Sequence, residues 1–287
     1  MNKASLKKIA AHDVAIAIKE DLGSGDVTTK LLGKEKNNLS TAILKSNENG
    51  ILCGQQWFDC SFKHVQKLYG GSLKIKWNKK DGDKIKKNEV ICKVVAPLKV
   101  VLISERTALN FIQLLSGIST KVNLYVQKIN NKKTKILDTR KTIPGLRISQ
   151  KYAVKCGGGY NHRNGLYDQI LIKENHITEK FSSYEKFLKK IEKKINFNKL
   201  SIEVENLKEL KILSKFNPKN ILLDNFTLTN IRKASSIINR KATTVEVSGN
   251  VNTGNIDKYS LLDIDFISIG DLTKNIKSID FSLYVIK

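Results

Sequence analysis

From Lys135 to Gly270 the chain repeats one pattern: a short apolar run that ends in a polar residue or a glycine turn, then a stretch with apolar residues at helical spacing. The runs are KILDT, DQILIK, KLSIEVE, NILLDN, TTVEVS and DFISIG. Between the later ones lie FSSYEKFLKKIEKKI, NLKELKILSKF and TLTNIRKASSII. Buried strands that alternate with amphipathic helices leave few solutions, and the simplest is a parallel sheet closed, or nearly closed, into a barrel. The segment holds about 140 residues, short of the roughly 200 or more of an eight-fold barrel, so six or seven strands are predicted.

The densest part of the series is Leu137 to His176, LDTRKTIPGLRISQKYAVKCGGGYNHRNGLYDQILIKENH. It carries the glycine triplet Gly157–Gly159 and two histidines, His162 and His176. LDTRK and DQILIKENH each read as a buried strand with a polar end, and a helical pattern with a glycine-rich loop lies between them. Parallel strands present such ends at the carboxyl face of the sheet, where α/β proteins bind ligands. In order, the strand ends supply Asp138-Thr139-Arg140-Lys141, Lys173, Glu205, Asp224, Ser248-Gly249-Asn250 and Ser268-Ile269-Gly270. One acidic residue after an apolar run is ordinarily a cap or a solvated loop. Recurrence around one barrel mouth points to a ligand site.

The chain before the barrel has a different rhythm. MNKASLKKIAAHDVAIAIKEDLG places Leu6, Ile9, Val14 and Ile18 on or near one helical face, with Gly23 as the stop. It lacks the apolar core and cleavage site of a secretion signal. EDLGSGDVTT is a turn-rich connector with Asp26 and Thr28 as candidate caps. TAILKS and GILCG are strand-like, and GQQWFDCSFKHVQKLYGG has Phe58, Phe62 and Val65 at helical spacing. Residues 73–97 alternate through Leu73, Ile75 and Trp77 and turn at Asp81-Gly82-Asp83, which reads as antiparallel strands. Their shape is similar to the half-barrel of lipoyl and biotinyl carriers, without the modifiable lysine context. From Ser104 a long helix is predicted, with Leu109, Ile112, Leu115, Val122 and Ile129 as its apolar stripe. Arg106 then falls in the first turn, where the helix dipole disfavours a cation; an exposed, unremarkable arginine is the default reading and an arginine presented to an anion the sharper one. Residues 1–115 are read as an amino-terminal α/β domain, 116–276 as the barrel, and 277–287 as a strand returning to the first domain.

Composition excludes some functions. No apolar run approaches the roughly 18 residues that span a bilayer. Cys53, Cys60, Cys92 and Cys156 form no CxxC pair and no zinc spacing with histidine, so reduced thiols in a cytoplasmic protein are expected. The net charge of +24 invites a nucleic-acid partner. The lysines, however, are spread along the chain, whereas a nucleic-acid footprint clusters. Nucleic-acid binding stays as the reading from a different class, and acidic strand ends argue against it. A small polyanionic substrate is compatible with the charge.

The candidate residues divide by chemistry. Arg106, Arg140, Lys141, Arg163 and Lys173, with His162, can hold several anionic groups, and arginine forks suit carboxylate and phosphate. Glu205 and Asp224 would repel a polyanion unless they hold ribose hydroxyls or a divalent cation. Magnesium takes one or two carboxylates together with substrate phosphates. The turns Ser248-Gly249-Asn250 and Ser268-Ile269-Gly270 fall where barrels bind phosphate through backbone N–H groups. Together the set calls for carboxylates, ribose, pyrophosphate and a terminal phosphate. No Ser/His/Asp or Cys/His nucleophile signature accompanies it.

These motifs resemble the quinolinate phosphoribosyltransferase family, the carboxylating nicotinate-nucleotide pyrophosphorylases of NAD biosynthesis. The resemblance covers nearly the whole chain and rests on EDLGSGDVTT, ERTALNFIQLLSGIST, LDTRKTIPGLR, KYAVKCGGGYNHRNGLYDQILIKENH, IEVE, ILLDNF, VEVSGN and ISIGDLT. GGGxNHRxGLxD followed by LIKxNH is the specific core. The resemblance implies an amino-terminal α/β sandwich, half-barrel-like, and an open α/β barrel. It implies a homodimer with shared active sites, in which Arg106 reaches into the neighbour's site. Arg140, Lys141, His162, Arg163 and Lys173 match the family's substrate-binding cations. Glu205, with Glu203 as the alternative in IEVE, and Asp224 match its acidic pair. Lys141, Lys173, Glu205 and Asp224 are the candidates for the catalytic centre. The implied reaction joins quinolinate to 5-phosphoribosyl 1-pyrophosphate with Mg2+ on the pyrophosphate and releases carbon dioxide. A related phosphoribosyltransferase with another acceptor, or the molybdenum-locus homologue, is the alternative within enzymes.

Overall fold

The computed structural model describes residues 3–33, 37–129, 133–177 and 183–286. The first two positions of the predicted amino-terminal helix, the first two of the predicted segment 181–195, and Lys287 lie outside the described residues. Two compact units emerge: residues 1–123, 142–158 and 272–287 form one, and residues 124–141 and 159–271 form the other. Among the described residues no helix is long and apolar enough to cross a membrane.

The first unit is built on an antiparallel sheet. Its strands are β1 (Leu39–Ser46), β3 (Lys74–Trp77), β5 (Val90–Pro97) and β12 (Phe281–Ile286), in the order β12-β1-β5-β3, while β2 (Gly50–Ile51) pairs with β4 (Lys84–Ile85). Alternation makes this sheet: Ala42 and Leu44 on β1, with Cys92, Val94 and Ala96 on β5, bury their side chains. Helix α1 (Lys3–Leu22) buries Ala10, Val14 and Ile18, and Gly23 ends it with φ +49° and its N–H on the Lys19 carbonyl. The cap of the following turn is Asp26, whose carboxylate accepts both the N–H and the hydroxyl of Thr29; Thr28 makes no side-chain cap. Helix α2 (Gln55–Tyr69) buries Trp57, Phe58, Phe62 and Val65, and the Trp57 indole N–H donates to buried Asp13 of α1 at 2.9 Å.

Helix α3 (Leu98–Lys128) starts six residues earlier than the sequence suggested. Val100, Val101 and Ile103 are β-branched and follow a strand directly, so they read as its continuation, yet they are buried on the stripe that Leu109, Ile112 and Leu115 extend. Arg106 therefore lies in the third turn, exposed, and the dipole argument does not apply to it. Mid-helix Gly117 is explained by close approach, because a Cβ there would lie 2.3 Å from the Lys277 carbonyl oxygen. Helix α4 (Arg147–Cys156) completes this unit.

The second unit is the predicted parallel sheet. It has six strands among the described residues: β6 (Lys135–Leu137), β7 (Ile170–Ile172), β8 (Leu200–Val204), β9 (Asn220–Asp224), β10 (Thr244–Ser248) and β11 (Phe266–Ser268), ordered β6-β11-β10-β9-β8-β7. That order is the cyclic one of a barrel with its seam between β6 and β7, partly covered where Tyr160 bridges Leu137. The connecting helices are α5 (Tyr184–Glu192), α6 (Leu207–Leu213), α7 (Leu228–Ser235) and α8 (Ile256–Tyr259); α9 (Asp271–Lys274) follows β11 and belongs, from Leu272 on, to the first unit. The first three start where Ser183, Asn206 and Thr227 accept N–H groups of the first turn.

Candidate active site

Register decides which side chains face the ligand. Glu203, Leu222, Glu246 and Phe266 are aligned across neighbouring strands, as are Asp224, Ser248 and Ser268. With a side-chain period of two, Ser201, Glu203, Asn220, Asp224, Thr244, Glu246, Ser248 and Ser268 share one face, and Ile202, Val204, Ile221, Leu223, Val245, Val247 and Ile267 share the other. The polar face is the enclosed one. His162, from the β6–β7 connection, reaches Glu246 on the central strand β10, and that path crosses the barrel interior.

His162 is held on three sides. Its N–H donates to buried Asp138 at 2.9 Å, and its Nδ1 accepts the Arg163 N–H at 2.7 Å. The Nε2 atom, left to carry the ring proton, faces Glu246 Oε1 at 3.4 Å, an ion-pair separation rather than an aligned hydrogen bond. The other oxygen of Glu246 accepts from the Asn220 amide at 3.0 Å, and Asn220 accepts in turn from the Thr244 hydroxyl at 2.9 Å. His162 thus anchors the segment that carries Arg163. Neither follows an apolar run: Asn220 opens β9 and Glu246 lies in the middle of β10, so the signal was a polar residue at the start of or inside a run and not after it.

The cations lie close to this anchor. Arg163 is only 8% exposed and donates from Nη1 to the Gln169 carbonyl at 3.2 Å. Burial, and then the positive charge of Arg140, lowers its pKa, which places the two guanidinium groups near each other. Arg140 itself is exposed. Lys141, also exposed, runs past Gly270, where a Cβ would lie 2.8 Å from its Cδ, and its N–H donates to the Thr139 hydroxyl at 3.1 Å. Gly270 is therefore a clearance for the lysine stem, which joins the loops after β6 and β11.

Lys173, just past β7, pairs with Glu203 of β8. Burial raises the Glu203 pKa, and the attraction of Lys173 offsets that only in part. The carboxylate that meets Lys173 inside the barrel is Glu203, whereas Glu205 lies beyond the end of β8, exposed. Its pKa is pushed up to about 7, first by a hydrogen bond with Glu174 and then by the charge of that neighbour, with Glu209 and Asp224 adding to it. Asp224 ends β9 half-buried and accepts from the Asn225 amide at 2.8 Å.

The two late turns differ. Gly249 has φ +90°, and a Cβ there would fall 2.0 Å from the Asn225 amide oxygen; Asn250 is also left-handed, with φ 56°. This compact turn follows Ser248. After β11, Ser268 and Ile269 are buried, and the Ile269 N–H is spent on the Leu137 carbonyl at 3.0 Å. It continues the parallel ladder and has no proton left for a phosphate. Arg106 belongs to the other compact unit.

Family models decide the lineage. Residues 26–116 match the model described as "Quinolinate phosphoribosyl transferase, N-terminal domain", and residues 118–284 match "Quinolinate phosphoribosyl transferase, C-terminal domain". The chain belongs to the quinolinate phosphoribosyl transferase family. Similar proteins extend this over the full length. The probable nicotinate-nucleotide pyrophosphorylase [carboxylating] of Bacillus subtilis is 35% identical, with 99% of this chain and 95% of that protein aligned. The protein of the same description from Methanocaldococcus jannaschii is 35% identical over 98% of this chain and 99% of its own. The solved nicotinate-nucleotide pyrophosphorylase from Francisella tularensis superposes with a TM-score of 0.86 at 39% identity, covering 98% of this chain and 97% of that one. The two matched domains agree with the division into a small antiparallel-sheet unit and a parallel-strand α/β unit.

Proposed function

We infer that this chain is a quinolinate phosphoribosyltransferase. It joins quinolinate to 5-phosphoribosyl 1-pyrophosphate and yields nicotinate mononucleotide, pyrophosphate and carbon dioxide. The observation that carries the reading is the juxtaposition, on one barrel mouth, of Arg140, Arg163 and Lys173 with the carboxylates Glu203 and Asp224, in a chain of this family. Two adjacent carboxylates on a flat ring suit the clustered cations, with Arg163 supplying a fork from a buried, pre-set position. The pyridine nitrogen attacks the anomeric carbon of the ribose as pyrophosphate leaves. Positive charge that builds on the sugar is met by the acidic sector, and the departing polyanion by lysines, so the protein acts by positioning and electrostatics. The quaternised nitrogen then serves as electron sink for loss of the neighbouring carboxylate.

Magnesium fits as a partner of the substrate. Among the described residues no three carboxylates or imidazoles at the mouth lie close enough together to cage a metal. Asp224 and Glu205 instead offer single carboxylates at the rim, the donor set of an ion held mainly by pyrophosphate. Such an ion supplies charge neutralisation for the leaving group.

The deciding experiment is mass detection of nicotinate mononucleotide from purified protein, quinolinate, the phosphoribosyl donor and magnesium. Comparable turnover with nicotinate in place of quinolinate would overturn the acceptor assignment. The reading includes a homodimer in which Arg106 serves the neighbouring barrel. Arg106→Ala is expected to be folded and nearly inactive, and to recover when mixed with inactive Lys173→Ala under subunit exchange, because mixed dimers regain one intact site. No recovery, with exchange shown independently, removes the shared site.

A further inference from the structure

One group of reactive side chains in the first unit has no part in the chemistry above. Cys53, Asp81 and Cys156 bring two sulfurs and a carboxylate oxygen within 4.8 Å of one another. Both cysteines are free thiols; Cys53 is sealed from solvent, and Cys156, the last residue of α4, is partly exposed. Asp81 holds them together. Its Oδ1 accepts the N–H groups of Gly54 (3.0 Å) and Gln55 (3.2 Å), directly after Cys53, and its Oδ2 accepts the hydroxyl of Tyr152 (2.8 Å), one turn before Cys156. The Cys53 backbone is pinned from the other side, where Ser116 accepts its N–H at 2.9 Å and donates to its carbonyl at 3.1 Å. The two sulfurs are therefore placed by a dedicated set of hydrogen bonds.

Two chemistries use such a pair: a soft metal or a disulfide. A metal needs both sulfurs as thiolates, a carboxylate with oxygens to spare and, in a structural site, a fourth ligand. The surroundings oppose this. Burial, and then the neighbouring Cys156 thiol and Asp81 charge, push the Cys53 thiol well above its usual range. Asp81 already accepts three hydrogen bonds. A disulfide carries no charge and suits the same site.

We propose that Cys53 and Cys156 form a reversible disulfide, with the partly exposed Cys156 as the thiol that meets the oxidant and buried Cys53 as the thiol that resolves it. The oxidant is a peroxide. Attack by the Cys156 thiolate breaks the O–O bond, leaving a sulfenic acid and hydroxide, which takes up the proton lost from Cys156 to give water. The Cys53 sulfur then bonds to the Cys156 sulfur and expels its hydroxyl, which departs as a second water with the Cys53 proton. The sulfurs must close to about 2.05 Å, a change that side-chain rotation at Cys156 can begin.

The test uses the full chain treated with stoichiometric hydrogen peroxide, then alkylated and mapped by mass spectrometry. The expected product lacks two of the four titratable thiols, yields one peptide pair linked through Cys53 and Cys156, and reverts with dithiothreitol. In Cys53→Ser the link is lost and Cys156 is trapped as a dimedone adduct. Should that buried substitution fail to fold, Cys156→Ser, at a partly exposed position, must abolish the link by itself. Retention of all four thiols, or a link through Cys60 or Cys92, would sink the proposal. So would stoichiometric zinc in the untreated protein that Cys156→Ser releases.

Discussion

The two sides of the barrel mouth are held to different degrees. On the side of β6, β7 and the segment between them, the groups are tied down: His162 is fixed through Asp138, Arg163 and Glu246, Arg163 is buried on the Gln169 carbonyl, and Lys173 meets Glu203. On the side of β8 and β9, Glu205 and Asp224 stand at the rim, and Glu174 and Glu209 crowd Glu205 until its carboxyl titrates near neutrality. A flat, rigid dianion is best met by cations that lose little freedom on binding. On the function proposed above, a flexible sugar pyrophosphate would bring its own metal, and carboxylates whose mutual repulsion an incoming positive charge relieves would suit it. One mouth thus combines a rigid sector with a deliberately unrelieved one.

The strongest test removes the hinge between the sectors. Lys173→Ala takes a cation from the rigid side and leaves buried Glu203 unpaired, so both activity and stability should fall. A charged hydrogen bond is worth on the order of 1.5–3 kcal/mol, or roughly 10- to 150-fold in kcat/KM, and the unpaired carboxylate adds to that loss. Adding Glu203→Gln should restore the melting temperature without restoring turnover. If the double variant regains activity, the lysine serves the fold and not the substrate.

A smaller effect is expected on the acidic side. Asp224→Asn should raise the KM for the phosphoribosyl donor about tenfold, the size of one ordinary charged contact, and change quinolinate binding far less. Calorimetry that finds the opposite order would reverse the assignment of the two sectors.

The smallest effect is electrostatic. Glu205 has a folded-state pKa of about 7, above the roughly 4.3 of an unfolded glutamate, so it favours the folded state at low pH. That contribution is lost as the pH rises from about 4.3 through about 7, as Glu205 becomes charged beside its acidic neighbours. Glu205→Gln should therefore melt slightly higher than the parent at pH 8, and the gain should vanish below about pH 4.3. A gain that is constant across this range would show that the repulsion is not its source.

Much of the site was readable from strand ends, because a parallel barrel displays the residues that follow its apolar runs. All six runs became strands, and Thr139, Arg140, Lys141, Lys173 and Asp224 came to the mouth from sequence position alone. What depended on register was not readable. Glu203 and Glu205 are two residues apart and share a face, so alternation cannot choose between them; the choice rests on how far β8 slides against β7 and Lys173. The loss of the Ile269 N–H to Leu137 is likewise a matter of pairing between β11 and β6. The start of α3 was hidden by local chemistry, since β-branched residues after a strand favour its continuation until packing overrides them.

The interleaving of the two units has a consequence for how the chain is made. The first unit begins with α1 and ends with β12, and the chain leaves it and returns to it twice, after Asn123 and after Gly158. Strand β1 lies inside its sheet with β5 on one side and β12 on the other, so Leu44 finds its partner Leu283 only when almost the whole polypeptide has left the ribosome. During synthesis that edge of β1 stays open, an invitation to the wrong strand. The barrel, encoded almost entirely between these ends, has all its strands in hand before the older sheet can close. The part begun first is completed last, and a chain stopped a few residues short would carry a finished barrel beside an unfinished sheet.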